Sequence, residues 1–115
     1  MEIIVETYYA NIFLGLKVRA TGWEHLVWEV EDTCQEYVNK IGLCVTVTPT
    51  EYIYTDGNEP GVIVGLINYP RFPEYPEQIR KKAVQLAYIL KERFDQLKVT
   101  VMCPDQTIMI GGESD

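Results

Sequence analysis

The chain has a single histidine, His25, and a single serine, Ser114, which sits among the last residues. A serine hydrolase needs a serine held beside a histidine, so that chemistry is excluded. Three cysteines, Cys34, Cys44 and Cys103, lie far apart with no CxxC pair, which removes a zinc knuckle and a vicinal redox pair. Their apolar neighbours predict buried free thiols, which suit a reducing compartment. There is no Walker loop and no GxGxxG, so ordinary triphosphate and dinucleotide machinery is not indicated. No apolar run approaches membrane-spanning length, and the start MEIIVETYYAN lacks the basic region and long apolar stretch of a signal peptide. A cytoplasmic protein is expected.

Basic residues are also scarce. Lys and Arg number 10 against 17 Asp and Glu, for a net charge of −7. The imbalance lies wholly in residues 1–60, which hold ten acids and three bases, whereas residues 61–115 hold seven of each. Duplex DNA and anionic membranes both require a basic surface, so neither is an expected partner.

The 115 residues and their 47% apolar content suit one globular core. A single domain over 1–110 is expected, with 111–115 as a disordered tail. Between Gly22 and Gly42, Trp23, Leu26, Val27, Val30, Cys34, Tyr37, Val38 and Ile41 recur at helical spacing. Thr21 and Glu24 read as a capping box at its start, and Gly42 as its stop. A second amphipathic helix is expected from Pro76 to Leu97. Segments IIVETYY, FLGLKVRA, LCVTVTPTEYIY, GVIVGLINY, KVTVMC and TIMI read as strands, with DGNEPG (56–61) as a hairpin loop.

This order predicts an α+β ferredoxin-like two-layer sandwich: an antiparallel sheet with two helices on one face, and extra terminal hairpins. Alternation then turns Leu43, Val45, Val47, Val62, Val64, Leu66, Val99 and Val101 toward the helices. The open face receives Thr46, Thr48, Ile63, Gly65, Ile67, Tyr69, Thr100 and Met102, with Ile4 and Tyr8. So little charge on an open face predicts self-association into a dimer or higher oligomer.

Candidate chemistry is sparse. Cys34 lies on the apolar stripe of its helix, which opposes a Cys34–His25 nucleophilic pair, and His25 itself reads as an exposed surface residue. Glu29, Asp32 and Glu36 have the spacing of one helical face, but no second cluster supports them as cation ligands. No metal and no cofactor is expected. Tyr52 and Tyr54 suit either a protein contact or cross-strand packing.

The stretch GLINYPRFPEYP, residues 65–76, admits two readings. As a rigid connector, its prolines fix the exit from a strand into the second helix. As a ligand loop, Arg71 would contact an anion, Tyr69 and Phe72 would stack on a base, and Asn68 would read its edge. Glu74 and Glu77 at the same helix start oppose a phosphate there.

TVTPTEYIYTDGNEPGVIVGLINYPRFP (46–73) and VTVMCPDQTIMI (99–110) resemble segments of small uncharacterised proteins encoded by tailed bacteriophages. That resemblance implies an infected bacterial cytoplasm as the setting and a counter-defence or host-takeover role; it transfers no site residues. The leading expectation is a non-enzymatic binding protein, oligomeric through its open sheet, holding a host protein or a small anionic ligand such as a nucleotide signal. The rival is an enzyme acting on nucleotides or RNA, for which His25, Asp56 and Asp105 are the available acids and bases. A structural protein of a particle is a third possibility.

Overall fold

The structure, a computed structural model, describes residues 1–112. The elements run β1 (Tyr9–Gly15), α1 (Val27–Ile41), β2 (Thr46–Tyr54), β3 (Gly57–Ile67), α2 (Pro76–Arg93), β4 (Lys98–Met102) and β5 (Thr107–Gly111). The five strands form one antiparallel sheet in the order β2-β3-β1-β4-β5. Each strand-helix-strand unit therefore skips one strand, so the two units interleave, as a ferredoxin-like sandwich requires. β5 adds a hairpin at the β4 edge. Of the expected tail, 111–115, Gly111 belongs to β5, and residues 113–115 lie outside the described residues.

Alternation in β1 buries Ala10, Ile12 and Leu14 completely and leaves the odd positions on the other face. The buried set joins Val62, Val64, Leu66, Val99 and Val101 of the sheet with Val30, Leu86, Leu90 and Phe94 of the helical layer in one core. The face assignment of β3 and β4 thus follows the expected phase. Across the open face, the register lines up Thr46, Gly65, Asn11 and Met102 in one row, and Thr48, Ile63, Phe13, Thr100 and Met109 in the next.

Several local expectations are corrected. The two N-terminal strands are one: residues 1–8 form no strand, and β1 straddles the two expected segments. Tyr8 is in phase with Ala10 and Ile12, so it is buried on the helical side and not displayed on the open face; Ile4 precedes the sheet and is exposed. The α1 cap sits five residues later than Thr21. Glu29 reaches back to accept from Leu26 N at 2.7 Å, while Thr21 accepts from Trp23 N in a local turn. Gly42 does end α1, with a left-handed φ of 81° and its N–H donated to the Val38 carbonyl. α2 stops at Arg93, before Leu97, with Asp95 at φ 52° turning the chain toward β4.

DGNEPG is not a loop throughout. Only Thr55 and Asp56 turn the chain, Asp56 with φ 62°, and Gly57, Asn58, Glu59 and Pro60 pair with Tyr54, Ile53, Tyr52 and Glu51. The long hairpin this makes is locked by Tyr52. Its hydroxyl donates toward the Val62 carbonyl at 2.9 Å and the Leu14 carbonyl at 3.3 Å, with its ring lying where a side chain on Gly61 would stand. Packing within the sheet is therefore the role of Tyr52, whereas Tyr54 remains largely exposed.

Candidate active site

The β3-α2 connection builds the site. Leaving β3, Asn68 donates its backbone N–H to the Tyr8 carbonyl and its side-chain amide to the Glu6 carbonyl, and its Oδ1 accepts from Glu74 N at 2.9 Å. Both ends of this amide are thus engaged with backbone, which ties the N-terminal segment and the loop together. Tyr69, Pro70, Arg71 and Phe72 form a tight turn closed by Phe72 N to Tyr69 O at 2.9 Å, with proline where its fixed φ suits a turn. Pro76 then opens α2, and the Gln78 side chain caps the Tyr75 N–H.

Beneath this loop lies a cavity of about 540 Å³ between the loop, the start of α2 and the segment leading into β2. Leu43, Leu66, Ile67 and Ile79 give it apolar walls, Tyr69 and Phe72 supply aromatic faces, and Cys44 faces it from the β2 side. Its charged groups are Glu74 and Lys82, whose Oε2 and Nζ meet at 2.6 Å, each about a quarter exposed. An apolar cavity of this size with a few placed polar groups is the usual form of a small-molecule site. The Tyr69 phenol is pushed up to about 12 by its side-chain interaction with the Cys44 thiol and by burial, so it is neutral at physiological pH.

Tyr69 and Phe72 therefore share a cavity, Asn68 braces its loop from behind, and Arg71 does not line it. The Arg71 guanidinium projects from the turn, 5.8 Å from the Phe72 ring centroid. Sequence reasoning did not single out the Glu74–Lys82 pair. The separation of eight residues hides it, because Glu74 precedes the helix and the loop must fold back before the two charges meet.

A second polar cluster flanks α2 on the β4 side. The Tyr8 hydroxyl donates to Asp105 Oδ1 at 3.0 Å and accepts from Arg80 Nη1 at 3.1 Å, and Arg80 also contacts Asp105 Oδ2 at 3.3 Å. Burial, with Cys103 beside it, pushes the Tyr8 phenol up to about 12. Asp105 is thereby engaged with Tyr8 and Arg80, and Asp56 occupies the far hairpin tip.

Two readings of single residues change. Cys44 is exposed, not buried, because it lies ahead of β2 where the chain faces the cavity. His25 is mostly buried, not a surface residue. Its ring meets Phe94 edge-on at 5.0 Å, Nδ1 faces Glu29 at 3.3 Å, and Nε2 is enclosed without a hydrogen-bond partner. Cys34 is buried on α1, and burial pushes its thiol up to about 11. Among the described residues no three His, Cys, Asp or Glu side chains gather as a metal site, and no helix is long and apolar enough to cross a membrane.

The fold is an α+β ferredoxin-like sandwich carrying a lined cavity at the start of its second helix. No protein-family model and no curated protein sequence matches the chain. Two solved structures do share its fold. One is a phage SAM lyase in complex with S-methyl-5'-thioadenosine: 20% identical, with 98% of this chain and 95% of that chain covered, at a TM-score of 0.80. The other is a phage SAM lyase in the apo state: 23% identical, with 92% and 90% covered, at a TM-score of 0.75. Both neighbours come from phage, in line with the resemblance noted in the sequence. They overturn the leading expectation of a non-enzymatic binding protein: the proteins that match this fold along nearly its whole length are enzymes, and the ligand held by one of them is an uncharged thionucleoside. The rival expectation, an enzyme acting on nucleotides, stands closer to these findings.

Proposed function

We propose that this chain is a lyase acting on S-adenosylmethionine (SAM), releasing S-methyl-5'-thioadenosine by carbon–sulfur cleavage. The observation that carries the proposal is the cavity under the β3-α2 loop, with one carboxylate, one ammonium and two aromatic rings, on a fold shared with a SAM lyase over 98% of the chain.

Charge supports this substrate over an anionic nucleotide. SAM bears a sulfonium, an ammonium and a carboxylate, so it is cationic overall and is drawn toward a protein of net charge −7. A phosphate would face Glu74 and Glu77 at the helix start. Glu74 and Lys82 offer opposite charges at one place, which suits the amino-acid end of SAM: ammonium to Glu74, carboxylate to Lys82. Tyr69 and Phe72 suit the adenine ring through their faces.

The chemistry needs no electron donor. When the carbon–sulfur bond breaks, its electron pair stays on sulfur, which becomes a neutral thioether. The substrate's own carboxylate oxygen bonds to the carbon that sulfur leaves, so the four-carbon fragment departs as a lactone, a neutral ester. Positive charge on sulfur falls along the way, so apolar walls such as Leu66 and Ile79 favour the transition state over the charged substrate. The chain's task is then to bind, fold up and desolvate the substrate. We place the reaction in the bacterial cytoplasm. We propose in addition that the open sheet face, with Phe13, Ile63, Ile67 and Met102 among its residues, is covered by further copies of the chain, because it carries little charge.

Incubation of the protein with SAM, followed by chromatography, tests the reading: S-methyl-5'-thioadenosine should accumulate with a four-carbon fragment in equal amount. A folded protein that yields no thioadenosine and shows no thermal shift with that product would overturn it.

A further inference from the structure

Trp23, Leu26 and Trp28 stand 64%, 57% and 58% exposed around the start of α1. Trp23 and Trp28 are the only tryptophans in the chain. Side chains this large and apolar are usually covered, and tryptophan is among the residues that carry most binding energy at protein interfaces. On α1, Glu31 and Asp32 follow Trp28 by three and four positions, so an indole and two exposed carboxylates share one helical face. Glu24, also exposed, adjoins Trp23. Among the described residues none of these three carboxylates is in an ion pair, whereas Glu29 is engaged with His25 and Leu26, and Glu36 with Arg93. Trp28, Glu31 and Asp32 stand on α1, whose buried residues pack into the core on the side of the sheet away from its open face, and none of the residues named here lines the cavity.

We propose that this face docks a basic amphipathic segment of another protein, its apolar side covering Trp23, Leu26 and Trp28 and its lysines or arginines meeting Glu24, Glu31 and Asp32. Charge selects this occupant. A second copy of the chain would set the same carboxylates against each other, and an anionic membrane would be repelled. A wholly apolar segment would strip water from three carboxylates and return nothing to them. A basic segment satisfies both the indoles and the acids.

The two tryptophans make the test direct, since all indole emission comes from this surface. A synthetic amphipathic peptide of leucine and lysine is titrated into the protein, with a leucine–glutamate peptide of the same length as control. The expected result is a saturable blue shift with the lysine peptide alone, weakened about tenfold by the double substitution E31K/D32K. That variant should still release thioadenosine from SAM at the wild-type rate, which separates this proposal from the catalytic one. Trp28→Phe, which keeps an aromatic ring, should leave Trp23 to report the same binding. No shift, an equal shift with the glutamate peptide, or unchanged affinity in E31K/D32K would overturn the proposal. So would a blue shift that grows with protein concentration alone, because the occupant would then be a second copy.

Discussion

Glu74 and Lys82 form an ion pair at 2.6 Å across the rim of the cavity, one from the loop and one from the second turn of α2. Each side chain is only about a quarter exposed, so their charges face the cavity through less screening than a surface pair would have. If they hold the amino-acid end of SAM, Glu74→Gln keeps the shape and removes the charge. Thioadenosine release should fall about 100-fold, the usual scale for one well-placed electrostatic contact in an active site. The stability loss should stay near 1 kcal/mol, as for a partly exposed pair. Initial rates beside a urea melt check both numbers; a large loss of stability with full activity would assign the pair to the fold instead of the site.

Three phenols, Tyr8, Tyr52 and Tyr69, are each pushed from 10.0 up to about 12 in the folded chain, by burial for Tyr8 and Tyr52 and by Cys44 with burial for Tyr69. Folding therefore favours the protonated phenol. The corresponding stability is fully present below pH 10 and is lost as pH rises through about 12. Urea midpoints should hold level from pH 7 to about 9 and then fall steeply. Tyr52→Phe removes the hydroxyl that bridges Val62 and Leu14, so it should cost about 1 kcal/mol at pH 7 and flatten part of the alkaline fall.

Gly61 makes a sharper test of the same contact. A Cβ there would lie 2.7 Å from the Leu14 carbonyl and run into the Tyr52 ring. Gly61→Ala should therefore destabilise by about 1–3 kcal/mol through displaced packing. In the double variant with Tyr52→Ala the penalty should shrink, because the ring that blocks the space is gone; additive losses in equilibrium unfolding would count against this coupling.

The architecture was legible because its signals are local and periodic. Alternation in VIVGL, with Val62, Val64 and Leu66 inward, and the apolar stripe of α2, from Ile79 through Ala83, Leu86 and Leu90, each name a face without knowledge of the partner. Errors came where two short-range signals competed. Thr21 with Glu24 makes as good a capping box in sequence as any, yet residues 16–25 fold back on themselves through Val18 N to Trp23 O and His25 N to Leu16 O, which delays the helix to Val27. Asp56-Gly57 marked the hairpin correctly, but Asn58, Glu59 and Pro60, turn formers by residue type, are held in β3 by pairing with Ile53, Tyr52 and Glu51 across the hairpin. The site was only half legible. Tyr69 and Phe72 drew notice by composition, whereas Glu74 and Lys82 become a pair only in three dimensions, and Arg71, conspicuous in sequence, is not among the residues that line the cavity.

The open sheet face supplies a prediction about assembly. Phe13, Ile63 and Ile67 lie within rows that β1 and β3 hold in fixed register, so a charge placed among them cannot reach solvent if another copy covers the face. Ile63→Lys should lower the mass measured by light scattering at micromolar protein, with the thermal midpoint falling in step if assembly stabilises the fold. A wild-type protein that is strictly monomeric under those conditions would remove the proposal.

The three thiols should separate by reactivity, and the separation reports on the cavity. Cys34 and Cys103 are buried, so reagent cannot reach them, and at Cys34 burial also holds the thiol up to about 11. Cys44 is exposed and faces the cavity beside Tyr69. A thiol-specific disulfide reagent at pH 8 should therefore modify one cysteine per native chain and all three in urea. Peptide mapping should place the fast adduct on Cys44. If S-methyl-5'-thioadenosine sits under the β3-α2 loop, saturating product should slow this modification severalfold, while Cys44→Ser removes the fast phase and leaves the fold intact. Unchanged kinetics under saturating ligand, with binding shown independently by a thermal shift, would move the nucleoside site away from this cavity.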